Sequence, residues 1–247
     1  MIILKTPAEL DGMRVSGRIA ASVRNEVAGR VAPGVTTGEL EEYAVEVMRM
    51  HGAESAFMGY RGYPAAICVS INEGVVHGIP GRRRIDLGDI VSLDIGIRFG
   101  GFIGDTATTV MVGVADPAVV QLVQTTERAL KAGIEVARPG ARLSDISHAI
   151  ESAAVESGFS VVREFVGHGI GRKMHEDPQV PNFGAPGRGP KLKQGMTLAI
   201  EPMVNFGKPE VEVMSDGWTV VTKDRSFSAH FEHTIAIMDK GAEILTL

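Results

Sequence analysis

The stretch Val91-Ser92-Leu93-Asp94-Ile95-Gly96-Ile97-Arg98-Phe99-Gly100-Gly101-Phe102-Ile103-Gly104-Asp105-Thr106-Ala107-Thr108 sets two aspartates inside apolar segments on either side of a Gly-Gly pair. It reads as a β-hairpin. An Asp in mid-strand is disfavoured by propensity and by the cost of taking a carboxylate out of water, so two of them flanking one turn need a counter-charge. Positions 94 and 105 sum to an odd number, so any hairpin loop with an even number of residues turns both carboxylates to one face. Two carboxylates converging on one point predict a bound cation.

Working outward, apolar residues recur at helical spacing upstream of the hairpin: Leu10, Met13, Ile19, Val23 and Val27 predict a helix from Pro7 to about Val31, broken at Pro33-Gly34. Thr37 is the expected cap of a second helix, from Gly38 to about Met50, stopped by Gly52. Strands are expected over Ala65 to Ile71 and Val75 to Gly78, leading into the hairpin.

Downstream the plan repeats. A helix from about Pro117 runs toward Ala137, breaks at Pro139-Gly140, and is followed by a second from Asp145, capped by Ser144, to about Ser157. The two Pro-Gly breaks are 106 residues apart, as are the stops Gly52 and Gly158, which points to an internal duplication. Strands follow around Val161 to Val166, Met196 to Asn205, Val211 to Met214, Trp218 to Thr222 and Phe227 to Met238, with a Pro- and Gly-rich loop from His175 to Lys193. Strands after helices in each half predict an α+β fold, antiparallel sheets covered by helices on one face, in two halves (roughly 1–115 and 116–247) related by a pseudo-twofold axis. A shared site would lie between them.

Composition bounds the function. With 44% hydrophobic and 22% charged residues, 247 residues suffice for one large domain. The net charge of -5 repels phosphate backbones and argues against specific nucleic-acid binding. Arg82-Arg83-Arg84 is the one basic run, read as a solvated loop face or a local docking contact to RNA or an acidic partner. The start lacks a signal-peptide pattern and no window approaches a membrane span, so no membrane association and a cytoplasmic location are expected. The single cysteine, Cys68, excludes an intrachain disulfide and fits a reducing compartment.

Three more ionisable residues stand where a bland core would not want them: His168 within Gly167-His168-Gly169-Ile170-Gly171, Glu201 at the end of an apolar run before Pro202, and Glu232 inside the last strand. His168 between glycines implies close backbone approach and unusual dihedrals. Four carboxylates drawn to one centre would repel one another, whereas two divalent ions would neutralise them. Asp94, Asp105, His168, Glu201 and Glu232 are therefore the predicted dinuclear site. One imidazole among carboxylates favours Mn, Fe(II) or Co over a thiolate-bound structural zinc. Two ions about 3.5 Å apart can activate a water to hydroxide for hydrolysis at neutral pH.

The segments Asn72-Glu73-Gly74-Val75-Val76-His77-Gly78-Ile79-Pro80, Asp94-Ile95-Gly96, Gly104-Asp105-Thr106-Ala107, Gly167-His168-Gly169-Ile170-Gly171 with His175-Glu176, Ile200-Glu201-Pro202 and Phe231-Glu232-His233-Thr234 resemble the type I methionine aminopeptidases, in order and over nearly the whole chain. The resemblance implies the pita-bread (creatinase/aminopeptidase-like) fold in one catalytic domain, 1–247, and removal of the initiator methionine before a small second residue. It implies two divalent ions (Co, Mn, Fe or Zn), with Asp94 terminal, Asp105 and Glu232 bridging, and His168 and Glu201 completing the second position. Glu201 would also be the general base, His77 would hydrogen-bond the substrate near the scissile amide, and His175 would stabilise the tetrahedral oxyanion. Tyr60, Tyr63, Cys68, His77 and Trp218 stand where the family lines its methionine pocket, whose polarisable walls suit a thioether.

Met174, Phe57 and Arg61 depart from residues common in relatives and bear on pocket shape. Asn72 and Ser228 match a family monovalent-cation site. The implied partner is a peptide or nascent-chain N-terminus, with a transient ribosome contact and a monomeric state as further expectations. Only 32 residues separate His168 from Glu201, too few for the type II insert, and no N-terminal domain of the prolidase or aminopeptidase P kind is seen. Because Ile2 is large, the chain is expected to keep its own Met1.

Overall fold

The computed structural model describes residues 1–247, which form α1 (Pro7–Ala28), α2 (Thr37–Met50), β1 (Glu54–Ser55), a 3₁₀ turn (Tyr60–Gly62), β2 (Cys68–Ile71), β3 (Gly74–Val76), β4 (Ile90–Phe99), β5 (Phe102–Met111), α3 (Pro117–Val136), α4 (Leu143–Glu156), β6 (Ser160–Val161), β7 (Gly167–Gly169), β8 (Glu176–Val180), β9 (Thr197–Ile200), β10 (Met203–Asn205), β11 (Val211–Val213), β12 (Val220–Thr222), β13 (Ser228–His230), β14 (Glu232–Ile237) and β15 (Ala242–Ile244). The main sheet runs β1-β4-β5-β14-β9-β7-β8, with β2 also on β4 and β15 on β14. Its pairings are antiparallel, so the α+β reading holds.

The hairpin of β4 and β5 turns at Gly100 (φ 58°) and Gly101 (φ 80°), two left-handed residues that suit the tight, twist-matched turn between Phe99 and Phe102. Asp94 pairs with Ala107 and Gly96 with Asp105, so both aspartates share a face. The opposite face carries Val91, Leu93, Ile95 and Ile97, which pack with Val23, Val27, Leu40, Ala44 and Val47 of α1 and α2. Each fully buried aliphatic side chain there contributes about 1.5–3 kcal/mol. Gly104 lies on that helix-covered face; a Cβ there would meet the Ser16 carbonyl of α1 at 2.8 Å.

The second half builds its own core from Leu122, Leu130, Ile146 and Ile150 of α3 and α4 against Leu198, Ile200, Ile235 and Ile237 of the sheet. Its helix entry copies the first. Gly34 (φ 88°) donates its N–H to the Ile85 carbonyl at 2.7 Å, and Gly140 (φ 89°) donates to Leu192 at 3.0 Å. Glu39 accepts the Thr36 N–H at 2.7 Å, and Asp145, 106 residues on, accepts the Arg142 N–H at 2.7 Å.

Several boundaries differ from expectation for local reasons. The cap of α2 is Thr36, whose hydroxyl accepts the Glu39 N–H; Thr37 is instead tied to Gly81, accepting its N–H at 2.8 Å. Ser144 likewise bonds Arg188 rather than capping α4, which begins at Leu143. Strand β3 stops at Val76 because His77 takes φ 59°. The stretch Val161 to Val166 is strand only at its start, while the loop read over His175 to Lys193 contains β8. Two long strands are each broken: one at Glu201-Pro202, where Pro has no N–H for the ladder, and one at Phe231. The segments cut off by these breaks, β10 and β13, belong to a small sheet, β13-β10-β6, and β11-β12-β3 form a third. No helix is long and apolar enough to cross a membrane.

Candidate metal centre

Sheet register assembles the carboxylates. Asp94 of β4 faces Ala107 of β5, and Ala107 faces Glu232 of β14 on its other side, which puts Asp94, Asp105 and Glu232 on one face across three strands. On the far side of β14, His233 pairs with Ile200, so Glu201 follows one step beyond, at the point where Pro202 takes the chain out of the sheet. His168 of β7 pairs with Ala199. The glycines around it are there for proximity: a Cβ on Gly167 would meet the Ala199 carbonyl at 2.4 Å, and one on Gly169 the Asp177 carbonyl at 2.1 Å. Neither has a positive φ, so the unusual dihedrals expected there are absent.

Ligand atoms of Asp105, His168 and Glu232 lie within 4.8 Å of one another. His168 Nε2 is also 3.4 Å from Glu201 Oε1, and Asp94 lines the same cavity. His168 Nδ1–H donates to the Gly169 carbonyl at 2.9 Å, which leaves the Nε2 lone pair facing the carboxylates, the tautomer a metal ligand requires.

The electrostatics describe a site built for added positive charge. Burial pushes the Asp94 carboxyl up to about 7. Burial and then the neighbouring carboxylates push Asp105, Glu201 and Glu232 well above the usual range. Burial and then nearby His175 hold the His168 imidazole down to about 3, so it is neutral. Asp94 Oδ1, Asp105 Oδ1 and Glu232 Oε1 are buried with no hydrogen-bond partner. The cavity lining contains one arginine, Arg61, and no lysine. Unpartnered carboxylate oxygens, a neutral imidazole and no thiolate among the converging ligands fit hard divalent ions.

The cavity, about 280 Å³, brings together every residue predicted for catalysis or the pocket: His77, His175, Tyr60, Tyr63, Cys68 and Trp218 line it with the five predicted ligands. Cys68 is buried and faces Asp94 across β2 and β4. Tyr63 stacks edge-on against Trp218 (5.1 Å) and donates its hydroxyl to backbone carbonyls of Ile67 and Gly78. Burial holds His77 down to about 4, and its ring sits edge-on to Phe165 at 5.5 Å. Phe57 and Met174 also line the cavity. Glu164, Phe165 and Val166 are the wall residues that sequence reasoning missed, since the stretch up to Val166 reads as strand; only their place just before Gly167-His168 hints at the site. Away from the cavity, the Ser228 N–H donates to the Asn72 carbonyl at 2.8 Å, so those two residues do meet. Of the basic run, Arg83 pairs with Asp86 and Asp89, and Arg84 donates to the Gly34 carbonyl.

Residues 11–239 match metallopeptidase family M24. The sequence is 51% identical over 246 residues to methionine aminopeptidase 1 of Bacillus subtilis, covering 100% of this chain and 99% of that protein. It is 46% identical over 248 residues to methionine aminopeptidase of Escherichia coli K12, covering 94% of that protein. The crystal structure of methionine aminopeptidase from Thermotoga maritima superimposes with a TM-score of 0.98 at 48% identity, covering 100% of this chain and 99% of that one. Prolidase from Pyrococcus furiosus superimposes over 99% of this chain and 65% of its own with a TM-score of 0.80 at 23% identity, a likeness of fold alone. The expected pita-bread fold is therefore the observed one.

Proposed function

The chain belongs to metallopeptidase family M24 and is a metal-dependent aminopeptidase that removes N-terminal methionine; we propose that it does so with two divalent ions held by Asp94, Asp105, His168, Glu201 and Glu232. The observation that carries this reading is the set of buried, unpartnered carboxylate oxygens around a neutral imidazole, beside an aromatic and sulfur-lined pocket. Bound there, the ions would supply Lewis-acid polarisation of the scissile carbonyl and acidify water at neutral pH.

The protein's own groups do the rest. Glu201 takes the nucleophile's proton as general base, its backbone held by Pro202 and by the Asn182 amide, which donates to the Glu201 carbonyl at 3.1 Å. His77 hydrogen-bonds the substrate near the scissile amide, and His175 donates to the developing oxyanion. Tyr60, Tyr63, Cys68, His77 and Trp218 receive the methionine side chain, and a small second residue is preferred. A monovalent cation at Asn72 and Ser228 would brace the join between β13 and the turn before β3. The setting we propose is cytoplasmic, with a monomer acting on nascent chains. A ribosome contact would fall to Arg82, since Arg83 and Arg84 are engaged within the fold.

Hydrolysis of Met-Ala peptides before and after complete removal of divalent metal tests the proposal. Activity lost to a chelator and restored by Mn(II), Fe(II), Co(II) or Zn(II) is expected; activity that survives metal removal would sink it. Xaa-Pro peptides run alongside should be poor substrates.

A further inference from the structure

Tyr60 is more than a wall of the pocket. Its hydroxyl oxygen lies 2.8 Å from His175 Nδ1, with the two rings 5.3 Å apart and 17° from parallel. The turn that presents it is held open by three left-handed residues, Gly59 (φ 77°), Arg61 (φ 51°) and Gly62 (φ 90°). It is closed by backbone bonds from Tyr60 to the Phe57 carbonyl (2.8 Å) and from Gly59 to the Tyr63 carbonyl (2.8 Å). Arg61, a non-glycine residue in a strained conformation, lays its guanidinium over the Tyr60 ring at 5.4 Å. A backbone strained in this way persists only where its surroundings over-determine it, and here it delivers one phenol to one imidazole.

The direction of that hydrogen bond has a consequence for His175. A phenol is a far better proton donor than a neutral imidazole N–H, and Tyr60 Oη makes no other hydrogen bond within the protein, so its proton lies on the Nδ1 side. Nδ1 is then the acceptor, and the ring's own proton must sit on Nε2. We propose that Tyr60 is a positioning residue that locks His175 in its Nε2–H tautomer, leaving that N–H as the donor toward the cavity. This rests on the oxyanion role proposed above for His175. Without the lock the ring would divide between two tautomers, one of which presents a lone pair where a donor is needed.

Imidazole ¹⁵N spectra of the protein, with and without added Zn(II), read the tautomer directly, the His175 signals being those lost in His175→Ala. One Nε2–H tautomer is expected in the native protein and a mixture in Tyr60→Phe, which keeps the ring and its stacking. Turnover of Met-Ala peptides by Tyr60→Phe should fall about tenfold in kcat, one hydrogen bond's worth, with KM changed by no more than about twofold. The double variant Tyr60→Phe/His175→Ala should be no slower than His175→Ala alone, since Tyr60 acts through His175. A single unchanged tautomer in Tyr60→Phe, a rise in KM with constant kcat, or additive losses in the double variant would each overturn the proposal. If His175→Ala itself turns over normally, the oxyanion reading beneath it fails, while the spectra still report the Tyr60–His175 pairing independently.

Discussion

Asp105 and Thr234 are joined twice across the sheet: the Asp105 N–H donates to Thr234 Oγ at 3.1 Å, and the Thr234 hydroxyl donates back to the Asp105 carbonyl at 2.8 Å. One hydroxyl thus fastens β5, from the first half of the chain, to β14, from the second, between the two carboxylates proposed to bridge the metals. Thr234→Val keeps the shape and β propensity but strands both backbone groups of Asp105. It should cost about 2 kcal/mol, seen as a drop in Tm of about 4–8 °C, and should weaken metal binding measured by calorimetry.

Glu201→Gln should leave the fold and Tm almost unchanged while lowering kcat by about 10²–10⁴, the range for loss of a positioned proton acceptor. The amide keeps the size of the side chain at the end of β9, and the strand-terminating Pro202 is untouched. Steady-state kinetics at saturating Mn(II) separates this loss from weakened metal affinity. A kcat within a few-fold of the native value would remove Glu201 from the base role.

The pH dependence of metal stabilisation follows from the opposed shifts in the cluster. His168, held down to about 3, is already neutral across the working range and offers no proton to displace. Asp94, pushed up to about 7, and the other three carboxyls, pushed well above their ordinary range by burial and by one another, hold protons more tightly than free carboxyls, and a cation must expel them. A carboxyl with a raised pKa adds stability only while protonated, below its unfolded value, and that contribution is lost as pH rises through the folded value. The metal-free protein should therefore lose this contribution toward pH 7 and above, where the ions bind best. Thermal melts with and without Zn(II) should show a metal-induced rise in Tm that is larger at pH 8 than at pH 5.5; a gap that narrows with pH would contradict the cluster as the metal site.

Most of the site was legible because its signals are local. Strand alternation puts Asp94 and Asp105 on one face whatever the rest of the chain does, and an ionisable residue between glycines or before a proline stands out at His168 and Glu201. What stayed hidden depends on long-range geometry. Tyr60 meets His175 across 115 residues, through backbone dihedrals that Arg61 gives no sign of adopting. Glu176-Asp177-Pro178, with two acids and a proline, looks like loop, yet β8 pairs with β7 at the edge of the sheet, where such residues are tolerated. The breaks at Pro202 and Phe231 leave no local mark, because an apolar run looks the same whether it stays in one sheet or passes between two.

Gly96 offers a test of the pocket that leaves the proposed metal ligands alone. It lies on the Asp94 face of β4, opposite Asp105, and its φ is not in the left-handed region, so a side chain there is limited by space and not by backbone strain. A Cβ would meet Phe57 Cε1 at 2.3 Å and Met174 Cε at 2.7 Å, both at the ends of side chains that line the cavity. Gly96→Ala must therefore push those two walls inward or displace the strand that carries Asp94. Flexible Met174 gives first. The expected outcome is a KM for Met-Ala peptides raised about three- to tenfold with kcat reduced less, a stability loss of about 1–3 kcal/mol from overpacking, and partial recovery of KM on adding Met174→Ala, which returns the space. A KM unaffected by Gly96→Ala would mean that Phe57 and Met174 do not bound the space the methionine side chain occupies.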